Sequence, residues 1–541
     1  MKNKIYFLLA LSPMFIATSC IEEVALESKV ATQEQVGSSA AALEGSINGI
    51  PAQMAQGYLV YGEQEDETDM GYPQFMIAQT EMLGDMYAGG TNYRYDWYYP
   101  YNSVATNIGP TSENAFLPWF TLYKFIKSAN DVIGSVDLET ANKEVKGLAG
   151  VAYACRAFDY YMLMVLFEPK TNIYTDCSKV LGLTVPVVDE NTDEEKAKNN
   201  PRLPHADMVK YILSDLDKAE EYLQDYTPVD KKVPDLAVTY GIKAKVYMWD
   251  EDYANAAKYA RMAIDASGAS PVTEAQLDDP ATGFNKANQA WMWYLHYDAE
   301  NMGNLCNFTG WASGEADWGY SSLTCPMIDK SLYDKMSATD IRRRLFLDPA
   351  REGFYNYKTC RDQEWLDEKP DYLALKFRCV DGNFETYTIG GICDVPVMRV
   401  EEMYLIEAEA VGASQSVSTG VALLNDFMQK NRDKAYNYAG TDLRSFQLEV
   451  LTQMRLEFWG EGCAFPNAKR LEPDVIQNYE GTNAPADIFK INCKGIKPNW
   501  TLCIPQSEVE SNVALDGMNN PDPSKTVTGP TEIGTFAPAN N

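Results

Sequence analysis

Histidine and basic residues are scarce in this 541-residue chain. Its two histidines, His205 and His296, disfavour histidine-based catalysis and a multi-histidine metal site. Lysine and arginine number 46 against 77 acidic residues, which gives a net charge of −31. No basic surplus is available to neutralise nucleic-acid phosphates or to dock onto anionic lipid, so we expect no nucleic-acid partner. The charge favours a neutral or cationic ligand, and nothing indicates a cofactor or a metal.

The sequence also has no closely spaced cysteine pair and no long hydrophobic segment after its N-terminus. None of its 11 cysteines forms a C-x-x-C pair, so zinc-ribbon and thioredoxin-type sites have no support. The best apolar run after the N-terminus is YYMLMVLF, residues 160–167, which is too short to cross a bilayer. We therefore expect a protein that does not span the membrane.

The N-terminus has the pattern of an export signal. Lys2 and Lys4 precede an apolar run over residues 5–16, and small residues then lead to Cys20. This pattern predicts a lipoprotein signal peptide over residues 1–19, lipidation of Cys20, and a polar tether over residues 20–40. Ordinary secretory cleavage, with Cys20 incidental, is the alternative. A lipid at Cys20 would anchor the protein to a membrane.

Helical periodicity is present in most of the remaining chain. Residues 205–223 have the 3.6-residue apolar spacing of an amphipathic helix. Residues 237–264 predict a helix–turn–helix unit with small residues at its close-packing positions, similar to a tetratricopeptide repeat. Residues 403–429 predict a second pair, and residues 120–133 with 151–167 a third. We predict a mostly α fold in one domain over residues 41–541.

Two stretches, residues 57–118 and 268–395, differ from this helical pattern. They are rich in Gly, Asn, Asp, Trp and Tyr and contain turn signals and short strand-like runs. We expect loop-rich insertions that carry short strands on the helical scaffold. Such insertions are the usual place for a binding site.

Four stretches together resemble the SusD/RagB family of surface glycan-binding lipoproteins of Bacteroidetes. They are the residues up to Cys20, with two acids directly after it, and the segments 398–410, 454–471 and 502–521. In the second stretch Arg399 and Ala408-Glu409-Ala410 match the family pattern, whereas Val400 and Glu401 depart from it. The charges of the second and third stretches alternate on predicted helices, so we expect them to form polar networks and not a ligand site.

The third and fourth stretches also match the family pattern, in short runs of residues. Residues 457–458, 460–462 and 469–470 reproduce the family's Glu-Phe, Gly-Glu-Gly and basic pair, with Cys463 and Pro466 as departures. The segment 502–521 has the family's Ile-Pro-x-x-Glu pattern and closing Asn-Pro. The resemblance therefore extends over nearly the whole chain.

This resemblance implies a specific function. Family members lie on the outer face of the outer membrane and cap a SusC-like TonB-dependent transporter. They bind an oligosaccharide or another nutrient and deliver it for import, and they are not enzymes. The implied fold is a scaffold of four tetratricopeptide-like pairs with a variable loop-rich part.

The first candidate ligand site is TNYRYDWYYPYN, residues 91–102, where every second residue is aromatic. Its alternating rings are Tyr93, Tyr95, Trp97, Tyr99 and Tyr101. Rings along an extended segment can stack on successive sugar units, because a pyranose has an apolar C–H face and a hydroxyl rim. Trp97 is the first choice, followed by Tyr93 and Tyr95, with Asn92 and Arg94 available to the hydroxyls. The alternative is a buried strand with all five rings on one side.

A second candidate lies in residues 309–322, where Trp311, Trp318 and Tyr320 stand among Gly, Ser and acidic residues. Because this polar setting is a poor core environment, we expect these rings to be exposed and to contact ligand. By contrast, WMWYLHY, residues 291–297, predicts a buried strand.

Three other functions fit parts of the sequence. A glycoside hydrolase needs two carboxylates across the glycosidic bond, but the acids at 63, 65, 66 and 69 are typical of a solvated loop. A helical-repeat adaptor could bind peptides, although the repeats are heavily interrupted. The acidic run 189–195 lacks the spacing of an EF-hand calcium loop.

Overall fold

The computed structural model describes residues 40–526, except 63–66, 91, 104–107, 278, 280–283 and 352–360. The predicted signal peptide, Cys20 and the tether up to residue 39 lie outside the described residues. So do the acids at 63, 65 and 66.

The longer helices make up most of the regular structure. They are α1 (Ala40–Met54), α2 (Pro73–Leu83), α3 (Glu113–Ser135), α4 (Lys143–Phe167), α5 (His205–Leu223), α6 (Leu236–Trp249), α7 (Tyr253–Ser267), α8 (Val400–Ser414), α9 (Val417–Asn431), α10 (Leu443–Glu457) and α11 (Phe465–Leu471). No helix among the described residues is long and apolar enough to cross a membrane.

Polar caps determine where several of these helices begin. Asn142 Oδ1 accepts a hydrogen bond from the Val145 amide at 2.9 Å at the start of α4. Asp235 Oδ1 does the same for the Val238 amide of α6, also at 2.9 Å. Each cap satisfies an N–H group that has no partner inside its helix, and the capping residues are readable in the sequence.

The helices from α3 to α10 form a continuous stack, because each packs against the next one along the chain. The three helix pairs predicted from periodicity are confirmed as α3 with α4, α6 with α7, and α8 with α9. Small residues allow the close contacts. A Cβ on Gly420 of α9 would lie 2.6 Å from the Gly412 Cα of α8, so the two backbones touch there. The mostly α, tetratricopeptide-like fold class is therefore confirmed.

The described residues also contain three two-stranded antiparallel sheets. The strands are β1 (Met86–Ala88), β2 (Trp291–His296), β3 (Pro326–Ile328), β4 (Asp394–Arg399), β5 (Val475–Ile476) and β6 (Asn492–Cys493). They pair as β1 with β3, β2 with β4, and β5 with β6. The strand predicted in residues 291–297 is confirmed as β2, with Trp291 and Trp293 fully buried. Because β4 runs directly into α8, this pair fixes residues 268–395 to the scaffold.

A cluster of buried charges lies where β4, α8, α9 and α10 meet. This charge cluster consists of Arg399, Arg432, Lys376, Glu401, Glu457 and Glu461, each at most 4 % exposed. Arg399 binds Glu461 through Nε and Nη2, at 2.8 and 2.9 Å. Arg432 binds Glu457 in the same two-pronged way, at 2.7 and 2.8 Å. The prediction that the family-like motifs around 399 and 457–461 form polar networks is confirmed.

The cations of the cluster all have anionic or carbonyl partners. Burial alone would raise the pKa of Glu457, but the guanidinium groups of Arg432 and Arg399 outweigh it and hold that pKa well below its ordinary value. Lys376 donates to the Glu457 and Trp459 carbonyl oxygens at 2.9 and 2.8 Å, and also to Glu461. Every cation therefore has carboxylate or carbonyl partners, which a buried charge requires.

Replacing Arg399 with methionine is expected to lower the free energy of unfolding by about 3–5 kcal/mol, because Glu461 loses its two-pronged partner and Glu457 loses one of its guanidinium neighbours, and neither glutamate leaves the interior. Urea titration measures the change. Lys127→Met is the matched control, since it removes an exposed i,i+4 pair with Asp131 and should leave stability nearly unchanged. Equal effects of the two variants would contradict a central role for the cluster.

Candidate functional site

The aromatic segment, residues 92–102, is neither an extended platform nor a buried strand. Tyr93–Tyr95 form a 3-10 turn and Tyr99–Asn102 a short helix. The Asn92 and Asp96 side chains each accept the amide two residues on, from Arg94 and Tyr98, at 3.0 Å. These local bonds curl the chain, so the alternation of rings does not produce a strand. The prediction of an extended segment was wrong.

Because the segment is curled, its rings point in different directions and differ in exposure. Tyr98 and Tyr101 are buried, whereas Tyr95 is 43 % exposed. Tyr93 packs edge-on against Phe489 at 5.3 Å between ring centroids, which joins it to the core. Trp97 is partly exposed. All three rings put forward in this segment therefore keep accessible surface, since Tyr95 is exposed and Trp97 and Tyr93 are partly exposed.

The two polar candidates of the segment remain at the surface. Asn92 and Arg94 are both exposed. The Asn92 side chain is engaged in the turn, and the Arg94 guanidinium lies 6.0 Å from the Tyr93 ring centroid.

The expected exposure of Trp311 and Trp318 was wrong. They are 4 % and 5 % exposed, because the glycine-rich loops close over both rings. A Cβ on Gly390 would lie 2.6 Å from the Trp318 ring, so the chain passes directly against it. Trp311 Nε1 donates to the Glu67 carbonyl at 3.1 Å, which satisfies its one polar atom inside the protein. Glycine and polar neighbours therefore allowed burial here.

The two predicted stretches nevertheless meet. Tyr320, which is partly exposed, stacks on buried Trp311 with ring centroids 4.5 Å apart and planes 11° from parallel. The Trp97 ring centroid lies 5.7 Å from that of Tyr320, with the planes tilted by 50°, and Tyr98 meets Trp311 edge-on at 5.2 Å. Burial raises the pKa of Tyr320 to about 12, so its hydroxyl stays neutral. The structure thus joins Trp97, Trp311 and Tyr320 in one aromatic cluster.

Apolar side chains that the sequence did not single out extend this surface. Leu323 is 46 % exposed on the turn of helix that follows Tyr320, and this turn packs beside residues 93–95. Leu305 is 47 % exposed, and its carbonyl touches Gly319 next to Tyr320. We call Tyr95, Trp97, Tyr320, Leu305 and Leu323 the aromatic patch. The sequence around an isolated leucine does not show that it is exposed, so only the structure identifies Leu305 and Leu323 as part of this surface.

The described surface also has clefts away from the aromatic patch. A polar cleft of about 870 Å³ lies between residues 338–344 and the end of α9. A second cleft of about 520 Å³ lies between residues 329–335 and the β5 segment. Neither is lined by a predicted ligand residue, and the aromatic patch is a surface feature, as a platform for an extended polymer would be.

Substitutions of Trp311 and Trp97 should differ in their effect on stability, because the first ring is buried in this cluster and the second is partly exposed. Trp311→Ala is expected to lower the free energy of unfolding by about 3–5 kcal/mol, because it opens a cavity in the core. Trp97→Ala, at a partly exposed ring, should cost clearly less. Chemical denaturation of both variants measures the difference, and equal losses would contradict the assigned burial.

Comparisons with known proteins place this geometry in context. A family model described as "Starch-binding associating with outer membrane", SusD-like_3, matches residues 58–248. A SusD-like protein P2 from Formosa agariphila is 24 % identical over 338 residues, which is 59 % of this chain and 62 % of that protein. The chain thus aligns with about three fifths of that relative's length.

Solved structures extend the similarity to the fold. A SusD-like carbohydrate binding protein from Bacteroides vulgatus matches with a TM-score of 0.69 at 18 % identity, covering 89 % of this chain and 98 % of that one. A surface glycan-binding protein A from Bacteroides thetaiotaomicron, in complex with laminarihexaose, matches with a TM-score of 0.60 at 16 % identity, covering 89 % and 99 %. The resemblance indicated by the motifs is thereby confirmed: the chain is similar to a SusD-like family model over residues 58–248, and 89 % of it shares the fold of the first of these solved structures.

Proposed function

We propose that this protein is a surface-exposed, glycan-binding lipoprotein that captures oligosaccharide and delivers it to a SusC-like TonB-dependent transporter of the outer membrane. The single observation that supports binding most strongly is the pair of partly exposed rings, Trp97 and Tyr320, held on a buried Trp311. The SusD-like sequence and fold support the location and the partner.

The aromatic patch has the physical properties of a sugar platform. Its rings are flat and apolar, and their motion is restricted because Tyr320 lies against Trp311 and Trp97 lies against Tyr320. A pyranose that stacks on such rings therefore loses its own freedom but does not have to order the protein. Tyr95, Arg94 and Asn92 border the rings with polar groups that can meet sugar hydroxyls.

Binding without hydrolysis is part of the proposal. Three acids, Asp96, Asp317 and Glu67, lie close to the rings, and the first two have structural partners. Asp96 is buried and accepts the Tyr98 amide at 3.0 Å, and Asp317 pairs with Arg361 at 2.7 Å. A glycosidase would need two carboxyl groups free to flank the scissile bond.

A glycan-binding screen on protein that starts after Cys20 tests the site. Trp97→Ala and Tyr320→Ala should each weaken binding of the retained polysaccharide by about tenfold, since one stacking contact is lost. Titration calorimetry or affinity electrophoresis measures the change. Tyr259→Ala is the matched control, because Tyr259 is also partly exposed and stacks on Tyr247 at 5.5 Å, but on the helical scaffold.

The possible results of this screen distinguish a wrong site from a wrong function. Binding that survives both ring substitutions would move the site away from the aromatic patch and leave the function standing. An absence of binding across a broad glycan panel would favour a non-glycan nutrient such as a peptide. Turnover of a bound glycan would overturn the non-enzymatic assignment.

If the protein delivers its ligand to a transporter, the two proteins should form a stable complex. Affinity-tagged full-length protein, extracted from native membranes in mild detergent, should copurify with a TonB-dependent transporter identified by mass spectrometry. Cys20→Ala should move the protein out of the membrane fraction, because the proposed lipid is lost. Membrane retention of this variant without the transporter would argue against the lipid anchor.

A further inference from the structure

One acid beside the aromatic patch has a side chain that the fold does not use. Glu67 is partly exposed, and its carboxylate makes no hydrogen bond or ion pair with a described residue. Neither of its carboxyl oxygens is fully buried. The other two acids near the rings are engaged, Asp96 by the Tyr98 amide and Asp317 by Arg361. Glu67 is therefore the acid of this surface whose oxygens are open to a ligand.

The backbone of Glu67 is fixed to the buried rings that support the patch. Trp311 Nε1 donates to the Glu67 carbonyl at 3.1 Å, and the Tyr98 hydroxyl donates to the next carbonyl, that of Thr68, at 2.8 Å. Both rings are at most 4 % exposed. Trp311 is also the ring on which Tyr320 stacks, with 4.5 Å between the centroids. Two adjacent hydrogen bonds thus hold Glu67 beside the partly exposed ring of Tyr320.

The charge of Glu67 acts on groups at this end of the patch. Burial first, and then the charge of Glu67, raise the pKa of Tyr320 to about 12 and the pKa of the Cys306 thiol to about 12. Cys306 directly follows Leu305, which belongs to the patch. The carboxylate is therefore near enough to the Tyr320 hydroxyl and to the loop at Leu305 for its charge to act on both.

A carboxylate beside aromatic rings is suited to the recognition of sugar hydroxyls. Its two oxygens accept hydrogen bonds and donate none, so they can pair with two hydroxyl groups of one sugar unit. Hydrogen bonds to an ionised acceptor are about twice as strong as those between neutral groups. The rings contact the apolar C–H face of the unit while the carboxylate meets its hydroxyl rim. The same charge repels a carboxylate on the sugar, as in a uronic acid.

We propose that Glu67 is a ligand-binding residue that selects neutral glycans: its carboxylate accepts hydrogen bonds from two hydroxyl groups of the sugar unit that stacks on Tyr320 and Trp97, and it disfavours polyuronates. The proposal deepens the proposed function, on which it rests, because it names the class of glycan and a further contact at the same site.

Glu67→Gln tests the contact, because an amide keeps the shape of the side chain but has one acceptor oxygen and no charge. The neutral probes are maltohexaose and laminarihexaose, the latter being the ligand of one structural neighbour. Hexagalacturonic acid is the acidic probe. Titration calorimetry uses the full-length protein in mild detergent.

The wild type should bind at least one neutral hexasaccharide, and should bind hexagalacturonic acid at least about tenfold more weakly. Glu67→Gln should bind that neutral hexasaccharide about tenfold more weakly than the wild type, since the charge-assisted bonds are lost. It should not lose affinity for the acidic probe, because the repulsion is removed. The preference for the neutral ligand therefore falls by about tenfold or more.

Glu139→Gln is the matched control for net charge. Glu139 is an exposed acid between α3 and α4, so its replacement removes the same charge away from the patch. This variant should bind all three hexasaccharides as the wild type does. An equal loss of binding in Glu139→Gln would assign the effect to long-range charge and overturn the contact.

Urea denaturation shows whether the effect of Glu67→Gln is on recognition. Because the Glu67 side chain has no bonding partner among the described residues, the unfolding midpoint should match that of the wild type. A clearly lower midpoint would give the carboxylate a structural role and would overturn the proposal.

The outcomes for Glu67 are distinct from those for the proposed function. If Trp97→Ala loses binding and Glu67→Gln does not, the aromatic patch stands and the role of Glu67 is overturned. Tighter wild-type binding of hexagalacturonic acid than of either neutral probe would overturn the selectivity. Failure of the wild type to bind any of the three would overturn the proposal, while the broad glycan panel still decides whether the protein binds glycans.

Discussion

The buried charge cluster of Arg399, Arg432 and Lys376 with Glu401, Glu457 and Glu461 is the interaction on which the rest of the structure depends. Arg399 is the last residue of β4, Arg432 directly follows α9, and Glu457 ends α10. Their paired bonds require these three chain ends to converge, because a buried charge without its partner is strongly unfavourable. Lys376 brings the loop-rich stretch 268–395 into the same contact. Scaffold and insertion are therefore positioned by one set of bonds.

That attachment has a consequence for the ligand surface. The aromatic patch combines residues 95–97 of one irregular stretch with residues 305–323 of the other, and neither contains it alone. Trp311 and Tyr98 form a buried base, and Tyr320 and Trp97 lie on it toward solvent. A rigid apolar surface results from loops that are rich in glycine and polar residues. The proposed binding therefore depends more on the buried rings that support this surface than on the number of aromatic residues.

Buried acids play two different roles in this fold. In the charge cluster, guanidinium groups surround Glu457 and keep it ionised. At Glu81, burial and then the charge of Asp96 raise the pKa above its ordinary value. The same residue type thus has its pKa lowered in one place and raised in the other, because the neighbouring charges differ.

The sequence by itself determined the helical scaffold, because apolar spacing and capping residues are local properties. It predicted α5 over residues 205–223, the three helix pairs, the buried strand β2 and the structural role of Arg399 and Glu461. It did not predict which rings face solvent. Alternation at 93–101 indicated a strand, but the Asn92 and Asp96 turns curl the segment. Glycine around Trp311 and Trp318 indicated exposure, but loops distant in sequence cover both rings. Exposure depends on what packs against a side chain from elsewhere in the chain, and only the tertiary structure decided that.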